Sequence, residues 1–472
     1  MHHTKIIATI GPASSEKRII GELMQAGVNV FRLNFSHGTH KERRDNIRNI
    51  RDCAKKLKLP IAIMADIQGP KIRTGNLKNT VVHLRKGSTV RLTTKRISGD
   101  EKIIGVDYAQ FSSVVKKGTT VLLSEGMITL RVMSTSNDTV ICKVIQGGIV
   151  GERKGVNIIG MHVASIITKK DRHDIRFALS QKVDYFALSF VRSAADVITI
   201  KKFIKGLGYT IPLIAKIEKP EAVDNVREIL SEVEGVMVAR GDLGVEGRLE
   251  EIPIWQKKII AEANRCGKMV ITATQMLESM IFARKPTRAE VTDVANAIFD
   301  GTCALMLSGE TAVGKYPVQV IQTMHRIIHA AEKSDFINYY FDQFDRKVSS
   351  ATFSVAHAAI DAARDAQVKA IVVFTISGFT ARFISKRRPH VPIFALTPDT
   401  QVYNQMSLFW GVYPIGTTLG KNIYRVLRHG EKQLLKKKLL KKGDRAVVVF
   451  GSVQKSGGTD QMKIVTIGEK GV

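Results

Sequence analysis

An α/β fold is predicted: a (β/α)8 barrel with an inserted small β-barrel domain and a C-terminal α/β domain. Three observations carry this. From residue 5, short apolar runs alternate with helix-period stretches, giving eight β–α units in series. Between about Pro70 and Ile167 the helical period is lost and short β-rich runs replace it. Past about Asp345 a new alternation begins. The expected division is therefore residues 1–69 and 168–344 for the barrel, 70–167 for the insert and 345–472 for the C-terminal domain, consistent with a 472-residue chain too long for one core.

The eight candidate barrel strands are Lys5–Ile10, Val28–Phe35, Ile61–Ile67, Val183–Phe190, Pro212–Glu218, Gly235–Asp242, Lys268–Thr274 and Cys303–Ser308. Helix-period segments between them include Glu16–Ala26, His40–Leu57, Arg172–Ser180, Glu221–Glu232, Pro253–Arg265 and Arg288–Phe299. An open doubly wound sheet is disfavoured, because no GxGxxG opens the first helix. In the insert, Val81–Leu84, Thr89–Thr93, Thr120–Leu123, Thr129–Val132 and Thr139–Val144 read as strands, separated by turns such as Lys86-Gly87 and Lys117-Gly118. An insertion after the third strand lies at the barrel's C-terminal end and is placed to act as a lid. In the last region, helices Phe353–Arg364 and Arg382–Arg387 precede strands Ala370–Phe374 and Pro392–Leu396, and Ala446–Phe450 and Met462–Ile467 close the chain.

Composition sets limits on function. With 44% apolar and 24% charged residues the chain reads as a soluble globular protein, and no window is apolar enough to span a membrane. A strand-like run begins at once after the N-terminus, so no signal peptide is expected. Cys53, Cys142, Cys266 and Cys303 lack disulfide or zinc spacing and suit buried thiols in a reducing cytoplasm. The net charge of +29 is spread along the chain, as on a lysine-rich solvated surface, so no specific nucleic acid is expected. Its densest cluster, Lys432 to Lys442, interleaves Leu434, Leu435, Leu439 and Leu440 and reads as an amphipathic helix.

The chemistry collects at strand C-terminal ends, where a barrel builds its site. The fifth strand ends in Lys216 and Glu218, which alternation sends to the same face. A structural ion pair is the plain reading of such a pair. Other polar groups follow the same rule: Arg32, Asn34, Ser36 and His37 at the end of the second strand, Asp66 and Gln68 at the third, Asp242 at the sixth, Thr274 at the seventh and Glu310 at the eighth. Glu218 and Asp242 offer oxygen ligands for one Mg²⁺ or Mn²⁺, and Lys216 can stabilise a developing oxyanion. Gly241 allows backbone N–H groups close to an anion, and Thr274 adds a hydroxyl. Arg32 and Arg73 are planar forks suited to phosphoryl oxygens. Taken singly, Asp242 suits a turn, His37 suits capping or packing, and Thr274 suits a helix N-cap.

These residues resemble the pyruvate kinase family. The resemblance rests on Ile10-Gly-Pro-Ala-Ser14, Arg32-Leu-Asn-Phe-Ser-His-Gly38, Asp66-Ile-Gln-Gly-Pro-Lys-Ile-Arg-Thr74, Ala215-Lys-Ile-Glu218, Ala239-Arg-Gly-Asp-Leu-Gly-Val-Glu246, Ala273-Thr-Gln-Met-Leu-Glu-Ser-Met280 and Met306-Leu-Ser-Gly-Glu-Thr-Ala312. It implies phosphoryl transfer from phosphoenolpyruvate to ADP, giving pyruvate and ATP, in a cytoplasmic homotetramer of glycolysis. It places Mg²⁺ on Glu218 and Asp242, and the transferring phosphoryl group near Lys216, Arg32, Gly241 and Thr274, with Thr274 linked to protonating the enolate. Asn34, His37 and Arg73 fall near the nucleotide phosphates. The family's monovalent-cation site maps to Asn34, Ser36, Asp66 and Ile67. Many members carry Glu where this chain has Lys71, so its ammonium is expected to replace K⁺. The segment Thr375-Ile-Ser-Gly-Phe-Thr-Ala-Arg382 resembles the family's effector phosphate loop, implicating Thr375, Ser377, Gly378, Thr380 and Arg382 in binding a phosphorylated activator. A metal-dependent pyruvate aldolase or lyase would share the barrel and metal but needs no nucleotide site. A basic nucleic-acid binder is the non-enzymatic alternative.

Overall fold

The computed structural model describes residues 2–160, 166–338, 351–417, 423–451 and 458–469. The domain boundary expected near Asp345 lies outside the described residues. Eight parallel strands close into a barrel in sequential order: Lys5–Thr9, Val30–Asn34, Ala62–Ile67, Tyr185–Leu188, Leu213–Ile217, Gly235–Ala239, Met269–Ala273 and Ala304–Leu307. Each is covered on both faces, by helices outside and by other strands' side chains inside, so most positions are apolar, with polar exceptions such as Lys5, Arg32, Asp66 and Lys216. Alternation divides them: Ile6, Phe31, Ile63 and Phe186 pack outward under the helices. Ile7, Val30, Met64, Tyr185 and Met237 fill the interior.

Helix starts follow local chemistry. Thr39, Thr168 and Thr287 each form a capping box, with Glu42, Asp171 and Glu290 answering from the first turn. Two sequence expectations are corrected here. Glu221–Glu232 is not one helix but two, Pro220–Asp224 and Val226–Glu232. The sixth strand stops at Ala239, and Arg240–Glu246 is a short helix.

The expected small β-barrel is built as a seven-stranded sheet with two two-stranded ribbons, around its own core of residues such as Val90, Leu92, Val121, Leu130 and Val140. It enters through Ile72–Arg73 and returns through Gly155–Ile158, which pair with each other.

The C-terminal domain is a five-stranded sheet ordered Val412–Gly416, Ile393–Thr397, Ala370–Phe374, Arg445–Phe450 and Gln461–Thr466, the last antiparallel. The edge strand Val412–Gly416 was not expected from sequence. The anticipated helix over Lys432–Lys442 ends at Lys436. Lys438 takes a left-handed φ of 56°, and Leu440 reaches the core from the turn beyond. This domain packs on the barrel's N-terminal end, away from the site: Lys5 Nζ donates to the Val412 carbonyl at 2.8 Å, Tyr185 Oη to that of Gln405 at 2.7 Å and Ser407 Oγ to that of Pro60 at 2.9 Å.

Candidate active site

The fifth strand delivers Lys216 and Glu218 to the rim as alternation requires, and the third and second strands deliver their partners. Lys216 Nζ lies 2.7 Å from Glu218 Oε1, 2.8 Å from Ser189 Oγ and 3.4 Å from Asp66 Oδ1. The other Asp66 oxygen accepts from Arg32 Nε at 2.6 Å, and Arg32 Nη1 reaches Thr9 Oγ1 at 3.1 Å. Glu218 Oε2 accepts the Phe190 N–H at 2.8 Å. Two cations and two carboxylates thus form one buried chain. Burial by itself would strip the proton from Lys216, but Asp66 and Glu218 reverse that and raise its pKa, so the ammonium stays charged. Burial likewise opposes ionisation of Asp66, yet Lys216 and Arg32 hold its pKa below the usual carboxylate value. Burial pushes the Glu218 carboxyl up, and Asp242 adds to this against the pull of Lys216.

Asp242 sits in the first turn of the helix Arg240–Glu246, facing the cleft. Gly241 N–H donates to Thr274 Oγ1 at 2.8 Å, and a Cβ on Gly241 would stand 3.4 Å from that oxygen. Thr274 is not a helix N-cap: it and Gln275 adopt left-handed φ values of 70° and 54° in the turn after the seventh strand. That conformation costs a non-glycine residue energy, and Arg240 holds it. Arg240 Nη2 donates to the carbonyls of Thr274 at 2.8 Å and Gln275 at 3.1 Å, while its Nη1 pairs with Asp293 at 2.7 Å. Glu310 accepts from the N–H groups of Leu277 and Ser308.

The cleft over these residues has a volume of about 490 Å³ and is lined by Arg32, Lys216, Glu218, Asp242 and Thr274 together. It continues beneath the insert into a space of about 1280 Å³, lined by His37, Lys71, Arg73, Lys95, Arg96 and Tyr108 among others. His37 is exposed there, neither capping nor packed. Partial burial, then Arg73 and Lys71, lower its pKa and favour the neutral ring. Asn34 Oδ1 accepts the Ser36 N–H at 3.0 Å, and Ile67 is a buried strand residue. Asp66 is turned to Arg32 and Lys216, and the Lys71 ammonium lies 3.7 Å from Asp242 Oδ1.

Glu218 and Asp242 present the hard oxygen donors that a divalent cation takes, and a cation between them would relieve the repulsion that adds to burial in raising Glu218. Among the described residues no group of three or more His, Cys, Asp and Glu gathers as a metal site. A cation held by these two alone keeps positions for water and substrate oxygens.

Sequence reasoning missed Ser189, Arg240 and the Lys71–Asp242 contact. For Ser189 a signal existed: it stands at the end of the fourth strand, where other strands carry their polar groups. Close approach explains one glycine nearby. Gly69 has φ +66°, and a Cβ there would meet the Ser189 carbonyl oxygen at 3.1 Å.

In the C-terminal domain, Gly378 (φ +75°) precedes the helix Phe379–Lys386. Ser377 is exposed, and Thr375 Oγ1 accepts the Gly378 N–H at 3.0 Å. Thr380 is buried against Thr459, their hydroxyls 2.7 Å apart, and the Arg382 guanidinium lies 5.8 Å from the Phe379 ring centre. Thr380 is therefore neither an N-cap nor turned outward. The four thiols also divide: Cys53, Cys142 and Cys303 are buried, but Cys266 is exposed, against expectation. No described helix is long and apolar enough to cross a membrane.

Comparison with known proteins is consistent along the chain. A family model described as pyruvate kinase, barrel domain, matches residues 1–321, and one described as pyruvate kinase, alpha/beta domain, matches residues 354–465. Pyruvate kinase 2 of Synechocystis sp. is 42% identical over 472 residues, covering 98% of this chain and 79% of that protein. The pyruvate kinase of Geobacillus stearothermophilus is 42% identical over 476 residues, covering 99% and 80%. A crystal structure of a pyruvate kinase from Cryptosporidium parvum superposes with a TM-score of 0.91 at 38% identity, covering 99% of this chain and 96% of that one.

Proposed function

The chain belongs to the pyruvate kinase family of phosphotransferases, and on that premise we propose how its own residues move a phosphoryl group from phosphoenolpyruvate to ADP. The observation that carries the assignment is the Lys216 ammonium, buried at the rim and kept charged by Asp66 and Glu218. Phosphoryl transfer asks mainly for positioning and charge neutralisation. Lys216 and Arg32 supply fixed positive charge where the phosphoryl oxygens and the enolate oxygen develop negative charge. The Arg32–Asp66 and Lys216–Asp66 contacts hold both cations at one spacing. Thr274, braced by Arg240, lines the same cleft; its hydroxyl, which donates to the Ala273 carbonyl at 2.6 Å here, is assigned the proton delivery to the enolate carbon, directly or through water. Glu218 and Asp242 would hold a divalent cation, Mg²⁺ or Mn²⁺, which would supply electrophilic charge to bound oxygens.

The basic lining under the insert, with His37, Lys71 and Arg73, suits the phosphates of ADP. Asn34 sits beside this nucleotide end. Lys71 places its own ammonium next to Asp242, and this supports turnover without K⁺ bound at the Asn34, Ser36, Asp66 and Ile67 positions. A phosphorylated metabolite is assigned to the loop at Thr375, Ser377 and Gly378, with Arg382 adjoining and Thr380 bracing it from behind. Assembly as a cytoplasmic homotetramer completes the reading.

A coupled pyruvate-formation assay with Mg²⁺ and K⁺ varied independently is the test. Pyruvate should form only with ADP and a divalent cation, at a rate indifferent to KCl. ADP-independent pyruvate formation would instead mark an aldolase or lyase. A many-fold rise on adding KCl would remove Lys71 from its assigned role. Calorimetry with sugar phosphates and nucleoside monophosphates tests the effector loop: binding should weaken in Ser377→Asp, and no binding by any such compound refutes the site.

A further inference from the structure

The barrel's opposite end carries an ionic cluster that phosphoryl transfer does not use. Cys303, just ahead of the eighth strand, is buried with its Sγ 3.2 Å from Nζ of Lys386, the last residue of the C-terminal domain's helix Phe379–Lys386. Lys386 is buried too, and its other hydrogen bond goes to Asn264 Oδ1. Among the described residues no carboxylate forms an ion pair with Lys386. Arg388 adds a second cation: it hydrogen-bonds Cys303 and the carbonyls of Gly301 and Thr302, with its guanidinium 4.9 Å from the Trp410 ring centre.

Buried cations require an anion or must give up their protons. The Glu332 carboxylate acts on Arg388 but not on Lys386, so the group facing both cations that can become an anion is the Cys303 thiol. Burial alone would raise its pKa, but Lys386 and Arg388 reverse this and bring it below the ordinary thiol value. A thiolate is the form that peroxides oxidise, and a sulfenic acid beside an amine condenses with it.

We propose that Cys303 and Lys386 are a peroxide-responsive pair that closes a covalent sulfur–nitrogen link between the barrel and the C-terminal domain. The Cys303 thiolate attacks one peroxide oxygen and the O–O bond breaks. Sulfur is oxidised to the sulfenic acid while the peroxide is reduced, the second oxygen leaving as hydroxide. That hydroxide takes a proton from the Lys386 ammonium. The neutral amine then attacks sulfur, the S–O bond breaks, and the departing hydroxide leaves as water with the second amine proton. Thiolate, ammonium and hydrogen peroxide thus become a sulfenamide and two waters, with charge and atoms balanced. A thiol reductant reverses the link. Once closed, it ties the approach to the eighth strand, whose far end carries Ser308 and Glu310 of the active site, to the helix that follows the Thr375–Gly378 loop.

The test treats the full-length protein with graded hydrogen peroxide, then alkylation, digestion without reductant and mass spectrometry, with exposed Cys266 as internal reference. Expected is a Cys303–Lys386 cross-linked peptide two hydrogens lighter than its halves, with Lys386 resistant to trypsin. It should form at peroxide doses no higher than those oxidising Cys266 and vanish with dithiothreitol. Cys303→Ser and Lys386→Arg should both lack it, while Lys386→Arg accumulates a dimedone-trapped sulfenic acid at Cys303. Linked wild type should also melt at a higher temperature, reversibly. Cys303 left intact after Cys266 is fully oxidised, or carried to sulfinic acid with no Lys386 link, overturns the proposal. Both readings come from the wild-type protein, so a misfolded variant does not blunt them.

Discussion

Replacing Lys216 by Met separates the electrostatic account of the site from a purely steric one. The substitution leaves Glu218 buried beside Asp242 with its counter-ion gone, whereas Asp66 keeps Arg32. An uncompensated buried charge costs about 3–5 kcal/mol, but Glu218 can escape by taking a proton. From an ordinary Glu pKa of about 4.3, protonation at pH 7 costs about 3.7 kcal/mol, at 1.36 kcal/mol per pH unit. That figure caps the loss. For a barrel of roughly 240 residues, an unfolding entropy of about 2.1 cal/mol/K per residue converts it to a fall in Tm of about 7 °C. The pH dependence has a definite sign. A carboxyl whose folded pKa is raised binds more protons folded than unfolded, so stability rises as pH falls toward its unfolded value. At pH 5 the cap is about 1 kcal/mol, and the Tm deficit should shrink to about 2 °C. Lys216 in the native protein adds no slope here, since its raised pKa lies far above this range. Calorimetric melts of both proteins from pH 5 to 8 in EDTA, so that no divalent cation replaces the lost ammonium, provide the reading, beside pyruvate formation with the cation restored, which should fall by at least about a hundredfold. Native-like melting, or a deficit flat across that range, would show that the charge chain is not what holds this rim.

Other perturbations test neighbouring parts. Lys71→Glu removes the ammonium beside Asp242, so KCl should stimulate the variant at least about tenfold, equivalent to about 1.4 kcal/mol, while the native rate stays flat in initial-rate assays. Asp242→Asn removes a charged oxygen ligand, and Mg²⁺ titrations should show half-saturation moved upward by about tenfold or more with the fold unchanged by circular dichroism. At the barrel's other end, burial, then Lys5 and His325, lower the His2 pKa to about 3. Neutral His2 therefore contributes stability fully present above its unfolded pKa and lost as pH falls, about 2 kcal/mol of it by pH 5. In His2→Gln the decline in Tm between pH 6.5 and 4 should be shallower; an unchanged slope assigns the acid lability elsewhere.

The barrel was legible because a strand buried on both faces carries few polar positions to obscure it; the threonine capping boxes at Thr39, Thr168 and Thr287 were a further signal, and reading the one at Thr168 would have started its helix at Lys169 rather than Arg172. The misreadings have local causes. Val412–Gly416 holds Pro414, which argues against a strand, and the structure tolerates it by making this the sheet's edge. Arg240–Glu246 contains Gly241 and Gly244, poor helix formers, so nothing in the sequence announced that the sixth strand had already ended. The leucines after Lys436 keep a helical spacing, yet Lys438 breaks the helix and Leu440 is buried all the same. Spacing reported which side chains are buried, not the backbone that brings them there.

The site divides along the same line. Lys216 and Glu218 could be read from one strand, because alternation fixes direction within a strand. Arg240 could not, since Thr274 and Asp293, which it bridges, come from later β–α units. Ser189 lies between these cases. In a barrel whose strands follow one another in order, the fourth strand must stand between the third and fifth. Register then sets Asp66 beside Ala187 and Ala215 beside Leu188. The side chain that follows Leu188 has nowhere to project but the gap between Asp66 and Lys216, and there Ser189 bonds Lys216 at 2.8 Å and lies 3.4 Å from Asp66. Closure turns sequence order into neighbourhood, so once eight units are counted, a polar residue at the end of any strand has its two flanking partners already named.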